Sequence, residues 1–562
     1  MGNHQHFFRC YGALIVFGIM TAMTPLPGLA GPGEPAGGAL MSGEAIMQSG
    51  RSCEECHAET TPLIFRQHME GEHGRIGVSC ADCHGNDHRA MPAATARAAC
   101  EQCHPNETAT FLAGGHSRTW ENMAASVLYR NEPEVIRRTG CEACHRVGSG
   151  DDDGRCDCCH RWHGFSRNEA ADPRTCSLCH PGPDHPQQSY QHSAAHFIPA
   201  TCAGCHLPGD SHNAGENLDQ LRAEFSQSQC APCHDAPFIS QWLQSSAITE
   251  EQGRKYLAAG RQIISLLRDK GRLSPDPRSA MPPPETDREP APATHLFYGD
   301  ISRAEKLAID LQRYLREHAV RGAYHQDFRL AAHAVLLAGQ QRLGELQAES
   351  RLLQELAAEK VQLSPLQGPV SSPDRGDIFR LSYESSRHGV LANGPGKPSC
   401  ETCHGAGEYA KPEAKAWAPV CGACHPAARV DRFVEDLVLI REHADQLRRS
   451  ADETVAKLIT KKVLGEDNAG KLTLLDDYKQ NQQVAEVLLA RLVYYLDDLD
   501  RSRKYMGVGV AHANPAYTLW YASGQARGDL IEIRDAAVKL LRMKKVFVDV
   551  PGLPFGPLPQ EN

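Results

Sequence analysis

Two long stretches of this chain carry apolar residues at three- and four-residue steps, the period of an amphipathic α-helix. The first contains "EEQGRKYLAAGRQIISLLRDKG" and "FRLAAHAVLLAGQQRLGELQAESRLLQELAAEK", with a Pro-rich loop between them. The second runs from about residue 431 to residue 548. We therefore predict a helical bundle over residues 235–363 and a C-terminal helical bundle over residues 431–562.

The remaining segments have other patterns. Residues 364–399, which contain "SPLQGPVSSPDRGD", are typical of a linker. Residues 1–30 place basic side chains before the apolar run "YGALIVFGIMTAM", and "GLA" at 28–30 supplies small residues for cleavage. This run is shorter than the roughly 20 residues that span a bilayer. We predict a signal peptide over residues 1–30, a periplasmic protein, and no transmembrane segment in the mature chain.

Cysteine is the residue type that changes this picture most. Of 22 cysteines, twenty form ten Cys-x-x-Cys units, and a histidine follows every unit directly. The cysteines are Cys53, Cys56, Cys80, Cys83, Cys100, Cys103, Cys141, Cys144, Cys156, Cys159, Cys176, Cys179, Cys202, Cys205, Cys230, Cys233, Cys400, Cys403, Cys421 and Cys424. The histidines are His57, His84, His104, His145, His160, His180, His206, His234, His404 and His425.

Three kinds of site use paired cysteines: zinc clusters, disulfide frameworks and covalent haem. Zinc ribbons and disulfide scaffolds do not need a histidine after each pair. Covalent c-type haem does, because the two thiols add to the vinyl groups and the adjacent imidazole binds the iron. The spacing predicts ten covalently attached c-type haems. Cys158, inside the fifth motif, is interpreted as a spare thiol.

Eight of the motifs crowd into residues 53–234, which leaves little room for regular structure. The chain is 6% aromatic, so ten macrocycles would form much of its apolar core. We predict a mainly α multihaem cytochrome c: an eight-haem domain over residues 31–234 with little regular structure around a packed haem array, long helical bundles, and a two-haem segment over residues 400–430. With 69 acidic and 59 basic residues, the charge gives no nucleic-acid signature.

Histidines outside the motifs are candidates for the second axial position of each iron. Sixteen follow the signal segment, so every haem could be ligated twice and ligand number alone does not reveal an open iron. Our candidate distal ligands are His88, His116, His163, His196 and His212. The phrases "RGAYHQDF" (321–328) and "GVAHANPAY" (509–517) indicate a partly duplicated haem-plus-helices unit, or two bundles that share a turn by coincidence.

Several phrases around the fourth to eighth motifs resemble the multihaem hydroxylamine oxidoreductases. They are "GGHSRTWENMAAS" with "GCEACH", "CDCCHRWHGFS", "CSLCHPGPDHPQQSYQHSAAH", "TCAGCHLPGDSHN" and "CAPCHDAPFISQWL", and the resemblance covers roughly residues 45–360. It implies that the haem on Cys141, Cys144 and His145 is the open catalytic site. It also implies that Asp184 and His185 accept protons there. The ninth and tenth motifs go beyond the eight that are usual in the family.

A tyrosine determines the expected direction of catalysis. Oxidising members of the family carry a tyrosine that crosslinks to the catalytic haem of a neighbouring subunit, whereas members without the crosslink are thought to act as reductases. The first phrase has Leu330 at that place, and the second supplies Tyr517. Tyr517 is thus a candidate catalytic residue, with packing in the bundle core beside Trp520 and Tyr521 as the alternative.

The sequence therefore leaves three functions open. The first is oxidation of hydroxylamine or a similar small nitrogen hydride at the fourth haem, with electrons passing through the other haems to a periplasmic electron-carrier cytochrome. The second is reduction of nitrite, nitric oxide or hydroxylamine on the same scaffold. The third is a non-catalytic electron-transfer cytochrome with saturated haems. A homotrimer is compatible with the first of these.

Overall fold

Helices make up nearly all the regular structure of the residues described. The computed structural model describes residues 51–87, 97–126, 129–130, 132–148, 155–161, 163–180, 202–214, 230–232, 234–273, 301–325, 331–332, 335, 337–369, 378–389, 398–404, 418–422 and 425–551. Contacts group Ser52–Asn562 into one unit and Met1–Arg51 into another. The predicted signal peptide and the Pro-rich loop at 274–294 lie outside the described residues. The mainly α fold class is confirmed.

The region of the first seven motifs contains short helices joined by turns. They are α1 Cys53–Thr60, α2 Pro62–Glu70, α3 Glu72–Arg75, α4 Cys80–His84, α5 Arg97–Glu101, α6 Pro105–Ala113, α7 Thr119–Ala124, α8 Glu134–Ile136, α9 Glu142–His145, α10 Arg167–Ala171, α11 Pro173–Ser177 and α12 Cys202–His206. A π-helical segment, Arg137–Cys141, joins α8 to α9. Serines begin two of the motif helices: Ser52 caps α1, and Ser79 precedes α4.

The first helical bundle follows the eighth motif. Its helices are α13 Ala236–Asp269, α14 Arg303–Arg313, α15 Arg321–Tyr324 and α16 Leu343–Ala357, with π-helical segments at Tyr314–Val320 and Leu337–Arg342. Asp235 begins α13 by accepting the backbone N–H of Phe238 at 2.9 Å, and Ser302 forms a capping box with Glu305 at the start of α14. Leucines from three helices, among them Leu257, Leu311 and Leu346, form the apolar interior.

The second bundle contains the longest helices and the densest core. Helices α17 Ile378–Glu384, α18 Cys400–His404 and α19 Ala418–Gly422 precede it. The bundle itself comprises α20 Ala427–Thr460, the antiparallel strands β1 Leu464–Glu466 and β2 Leu472–Leu474, α21 Gln482–Ala511, α22 Pro515–Leu519, a π-helical segment Trp520–Ala526, and α23 Arg527–Met543. Leucines such as Leu488, Leu492 and Leu540 are fully buried between these helices.

The segment predicted as a linker contains a helix that the apolar pattern did not predict. Ile378 at the start of α17 is buried, and Leu366 is buried in the C-terminal core. The Leu366 backbone N–H donates to the Gln483 side-chain oxygen at 3.3 Å, and the Gln483 amide donates to the Leu366 carbonyl at 2.7 Å. This segment therefore packs along α21 as well as connecting the two bundles.

A buried cluster of charges joins the two bundles. Arg303 donates through Nε to Glu532 at 2.7 Å and through Nη1 to Glu349 at 3.1 Å. Lys306 pairs with Glu532 at 3.2 Å, and Lys539 pairs with Glu349. These ion pairs link α14, α16 and α23 inside the protein, where an unpaired charge would be costly.

The fourth motif packs against the C-terminal bundle. Cys141 is buried in the same apolar cluster as Ile440, Met506 and Leu519. A Cβ on Gly140 would lie 2.5 Å from the Leu519 side chain, so the absence of a side chain allows this close approach. Among the helices described, none is both long and apolar enough to cross a membrane.

Candidate haem array and active site

In the described motifs, a helical turn brings the cysteines and the histidine onto one side. In five motifs the backbone N–H of the histidine donates to the carbonyl of the first cysteine; these bonds are His104–Cys100, His160–Cys156, His180–Cys176, His234–Cys230 and His425–Cys421, at 2.9 to 3.0 Å. Positions i, i+3 and i+4 of a helical turn share a face. Both thiols and the imidazole of a motif can therefore reach one macrocycle.

Histidine rings face each other in pairs across the described residues. Each pair joins a motif histidine to one outside the motifs, with 6.0 to 6.4 Å between ring centres: His104 with His73, His84 with His163, His180 with His116, His160 with His212, His206 with His325, and His425 with His388. An imidazole nitrogen ligates a metal at about 2 Å, so two rings on opposite sides of one iron have centres about 6 Å apart. The pairs fit one haem iron each.

Three of the predicted distal ligands lie in these pairs. His116 faces the sixth motif, His163 the second and His212 the fifth. His88 and His196 lie outside the described residues. Sequence reasoning did not select His73, His325 or His388, although "RGAYHQDF", already singled out as a repeat, contains His325.

Burial keeps several of these imidazoles in the neutral form that binds metal. The pKa of His163 is lowered to about 4, by burial first and then by nearby histidines, of which His84 has the largest effect. The pKa of His425 is also lowered to about 4, by burial first and then by the charge of Arg429. Neutral imidazole has a free lone pair on one nitrogen, as an axial ligand requires.

The cysteines of different motifs lie side by side. The Cys144 thiol of the fourth motif lies within hydrogen-bonding reach of Cys179 of the sixth. Cys100 of the third motif has the same relation to Cys156 of the fifth. Cys176 and Cys202 join the sixth motif to the seventh: their thiols are also within hydrogen-bonding reach. The attachment points are therefore close enough to hold haems next to one another in a continuous array.

Arginines close to these attachment points carry an excess of positive charge. Arg155 pairs with Asp157 at 2.9 Å. Burial lowers the pKa of Arg146 and Arg429, and repulsion from Arg387 lowers both further. Asp157 is the carboxylate that offsets these charges in the part of the chain described. Buried cations need anionic partners, and the propionate groups of haem are such partners.

The fourth motif differs from the paired ones. The His145 ring hydrogen-bonds through Nδ1 to the carbonyl of Thr119 at 2.9 Å, which orients the ring and leaves Nε2 for a metal. Within the described ranges, no second histidine ring lies opposite His145. A π-helical segment leads into this motif, and such irregular turns are frequent at functional sites. Asp184 and His185, the predicted proton acceptors, lie outside the described residues.

The eighth motif also has a distinct environment. The His234 ring stacks on Phe238 with 4.6 Å between ring centres and 16° between planes. In the ranges that the structure covers, no histidine faces His234. The missing opposite imidazole is therefore not peculiar to the fourth motif, and the predicted roles of Asp184 and His185 distinguish the two sites.

Tyr517 lies near the fourth motif of its own chain. Helix α22, which contains Tyr517, packs on the segment Arg137–Cys141. The centre of the Tyr517 ring lies 6.1 Å from that of Tyr521. Burial raises the pKa of Tyr517 to about 12. Within one chain, Tyr517 therefore lies beside Tyr521, and its predicted catalytic role stays a prediction.

Comparison with known proteins agrees with the motif chemistry. Residues 50–198 match a family described as multi-haem cytochrome with seven CxxCH motifs. Taken with the helical motif turns and the paired imidazoles, this match supports covalently bound c-type haem at the motifs it covers. The described cysteines form no disulfide with one another.

This chain is similar to two proteins of known description. A probable nitrite reductase–hydroxylamine oxidoreductase fusion protein of Kuenenia stuttgartiensis is 25% identical over an alignment that covers 47% of this chain. The chain spans 42% of that relative's length. A solved reducing HAO-like protein complex of the same organism is 19% identical, with a TM-score of 0.42, covering 55% of this chain and 86% of the other. The predicted resemblance to the multihaem hydroxylamine oxidoreductases is confirmed.

Proposed function

We propose that this protein is an exported decahaem cytochrome that oxidises hydroxylamine, or a similar small nitrogen hydride, at the haem on Cys141, Cys144 and His145. The carrying observation is the contrast among the motif histidines. Six of them face a second imidazole, whereas His145 and His234 face none in the described residues. The resemblance, which puts the proton acceptors Asp184 and His185 at the fourth motif, selects His145 of these two. An iron with one protein ligand has a free position for substrate, and a saturated iron transfers electrons.

The residues around this site divide the work of oxidation. The haem supplies an iron that takes electrons from the bound nitrogen. Thr119 holds the His145 ring in position through its carbonyl oxygen. Asp184 and His185 accept the protons that the substrate loses, because a carboxylate beside an imidazole suits proton transfer near neutral pH. The remaining haems carry the electrons to a periplasmic cytochrome.

The spin state of the resting protein tests this proposal most directly. Electron paramagnetic resonance should give a high-spin ferric signal from the open haem. Mass spectrometry of the denatured mature chain should find ten haem additions and a start near Gly31. A spectrum with low-spin haem alone would support the non-catalytic electron-transfer cytochrome instead.

The proton acceptors have their own test. The change Asp184→Asn keeps the side-chain shape but removes a proton acceptor, and a positioned acid–base group contributes about 10²–10⁴ in rate. We expect hydroxylamine turnover to fall by that factor while haem content stays the same. Asp172→Asn, at an exposed ion pair with Arg174, is a control that should leave turnover near the unmodified value. Unchanged turnover in the Asp184 variant would contradict its role.

The reductase is the second candidate, and the position of Tyr517 favours it. The centre of the Tyr517 ring lies 6.1 Å from that of Tyr521 of the same chain. A crosslink from Tyr517 to the haem of a neighbouring subunit, as in a homotrimer, would hold two chains together on a denaturing gel. Tyr517→Phe would separate them and abolish hydroxylamine oxidation. A clean monomer with an ordinary c-type spectrum and a high-spin haem would support reduction of nitrite, nitric oxide or hydroxylamine.

A further inference from the structure

The ninth and tenth motifs lie next to each other. Cys400, Cys403 and His404 form α18, while Cys421 lies in α19 with His425 just after it. The charge of Cys421 acts on the Cys403 thiol, so the two attachment points are close in space. These motifs have no counterpart in the eight-haem pattern, and their distal ligands have to come from this chain's own residues.

The tenth motif has a histidine in the position of a distal ligand. The centres of the His388 and His425 rings lie 6.1 Å apart with 55° between the planes. The other five facing pairs span 6.0 to 6.4 Å and 33° to 57°. His388 lies four residues after the end of α17, in the segment whose buried Ile378 packs in the core. The pair has the separation that a single iron needs.

The ninth motif is served by the turn that ends α21. Ala513 has a φ of 49°, so the chain reverses there and His512 leaves the helix end. The Asn514 amide donates to the Ser382 carbonyl at 2.8 Å and to the Ser385 hydroxyl at 2.9 Å, which fixes this turn against α17. These bonds fix the position of His512 relative to the segment that contains His388.

The contacts of Tyr383 relate His512 to the ninth motif. The Tyr383 ring meets the His512 ring edge-on, with 6.0 Å between centres. The Tyr383 hydroxyl donates to the carbonyl of Pro398, two residues before Cys400 of the ninth motif. Tyr383 therefore contacts both His512 and the chain that leads into the ninth motif, which places His512 beside that motif.

The first bundle supplies an internal parallel. His325, in the phrase "RGAYHQDF", faces His206 of the seventh motif at 6.4 Å. His512 occupies the matching place in "GVAHANPAY" and lies near His404. In both cases a histidine after a helix end meets a motif that precedes it in the chain. Both copies of the phrase thus place a histidine near a haem-attachment motif.

We propose that His512 and His388 are the distal axial ligands of the haems on the ninth and tenth motifs, so that both of these irons are saturated and transfer electrons. The inference rests on the ten-haem attachment in the proposed function and is independent of the direction of catalysis. Arg387, next to His388, acts electrostatically on Cys144 and Cys179. The distal side of the tenth motif thus lies close to the fourth and sixth motifs.

Axial-ligand variants of the full haem-loaded protein test this assignment. In His388→Ala and in His512→Ala, one low-spin ferric haem should become high-spin, and the integrated high-spin resonance signal should rise by one haem per chain. Mass spectrometry should still find ten haem additions. His443→Gln is a matched control: His443 is a buried histidine of α20 that faces no described motif histidine, and the variant should leave the spin count unchanged.

Methionine variants cover the case in which an alanine variant does not fold. His388→Met and His512→Met should stay low-spin, gain a methionine–iron absorption band, and show one haem with a raised reduction potential. An unchanged spin count in the alanine variants, or unchanged spectra and potentials in the methionine variants, would overturn the assignment. A wild-type protein without any high-spin haem would contradict the proposed catalysis and leave the axial-ligand assignment standing. A wild-type protein without haem on the ninth and tenth motifs would contradict both the proposed function and the assignment.

Discussion

The first seven motifs and the C-terminal bundle are built on different principles. Helices α1 to α5 are at most nine residues long and have no buried side chain. Helices α20 and α21 have 34 and 30 residues, with apolar side chains buried along their length. The first helices of the motif region thus have no side-chain core of their own, whereas the bundle packs against itself. We expect covalent haem to take the place of a side-chain core around these first motifs.

Removal of the haems should give the largest difference in amide protection between the two regions. In protein produced without haem attachment, we expect residues 53–101 to lose nearly all amide protection, because their helices have no buried side chains of their own. Residues 425–551 should keep protection, because their core consists of side chains. Hydrogen exchange followed by mass spectrometry checks both. Equal loss of protection in the two regions would show that the bundle also depends on the haems.

The buried ion pair between the regions should give the next largest effect. Arg527 of α23 donates to both carboxylate oxygens of Glu132, at 2.6 and 2.7 Å, and both side chains are buried. Arg527→Met leaves the Glu132 charge unpaired, which should lower the free energy of unfolding by about 3–5 kcal/mol. The double variant with Glu132→Gln should recover much of this loss. Denaturant titration measures both, and a loss near zero in the single variant would contradict the prediction.

Paired leucine truncations compare the two regions directly. Leu488→Ala should cost about 2–5 kcal/mol, because Leu488 is fully buried and its removal leaves a cavity. Leu112→Ala should cost less than about 0.5 kcal/mol, since Leu112 is 43% exposed in α6. Both are measured as shifts in the denaturation midpoint of the haem-loaded protein. A large loss for Leu112→Ala would indicate that a haem covers this side chain.

The smallest expected effect is a pH dependence of stability that arises from Asp529 in the C-terminal bundle. Burial, and then the charge of Asp498, raises the pKa of Asp529 well above its usual value. The folded protein thus holds this proton more tightly than the unfolded chain. The stability that it contributes is complete below about pH 4 and declines as the pH rises towards the folded pKa, by at most about 1.4 kcal/mol per pH unit.

The variant Asp529→Asn should remove this decline, because asparagine does not titrate. Asp498→Asn should reduce it, because one charge that raises the pKa of Asp529 is gone. Unfolding titrations between pH 4 and pH 8, about the range in which carboxylates and imidazoles titrate, measure the slope. A slope that persists in Asp529→Asn would assign the pH dependence to other groups, such as the histidines of the motif region.

Some features of the fold and site could be predicted because they depend on nearby residues. The apolar period predicted α13, α20 and α21, since a helix needs one buried stripe. The buried charges of Arg303 and Glu349 could not be predicted, because their partners come from separate helices. Helix α17 was missed for a similar reason: buried Ile378 and Ser382 stabilise it through tertiary packing.

The sequence by itself determined the attachment chemistry. In a Cys-x-x-Cys-His unit the residues that bind one haem are adjacent, so their spacing specifies the site. Only the tertiary structure decided which second imidazole faces each motif. His73 faces His104 across 31 positions, and His325 faces His206 across 119, because distal ligation depends on distance in space and burial, neither of which follows from local spacing.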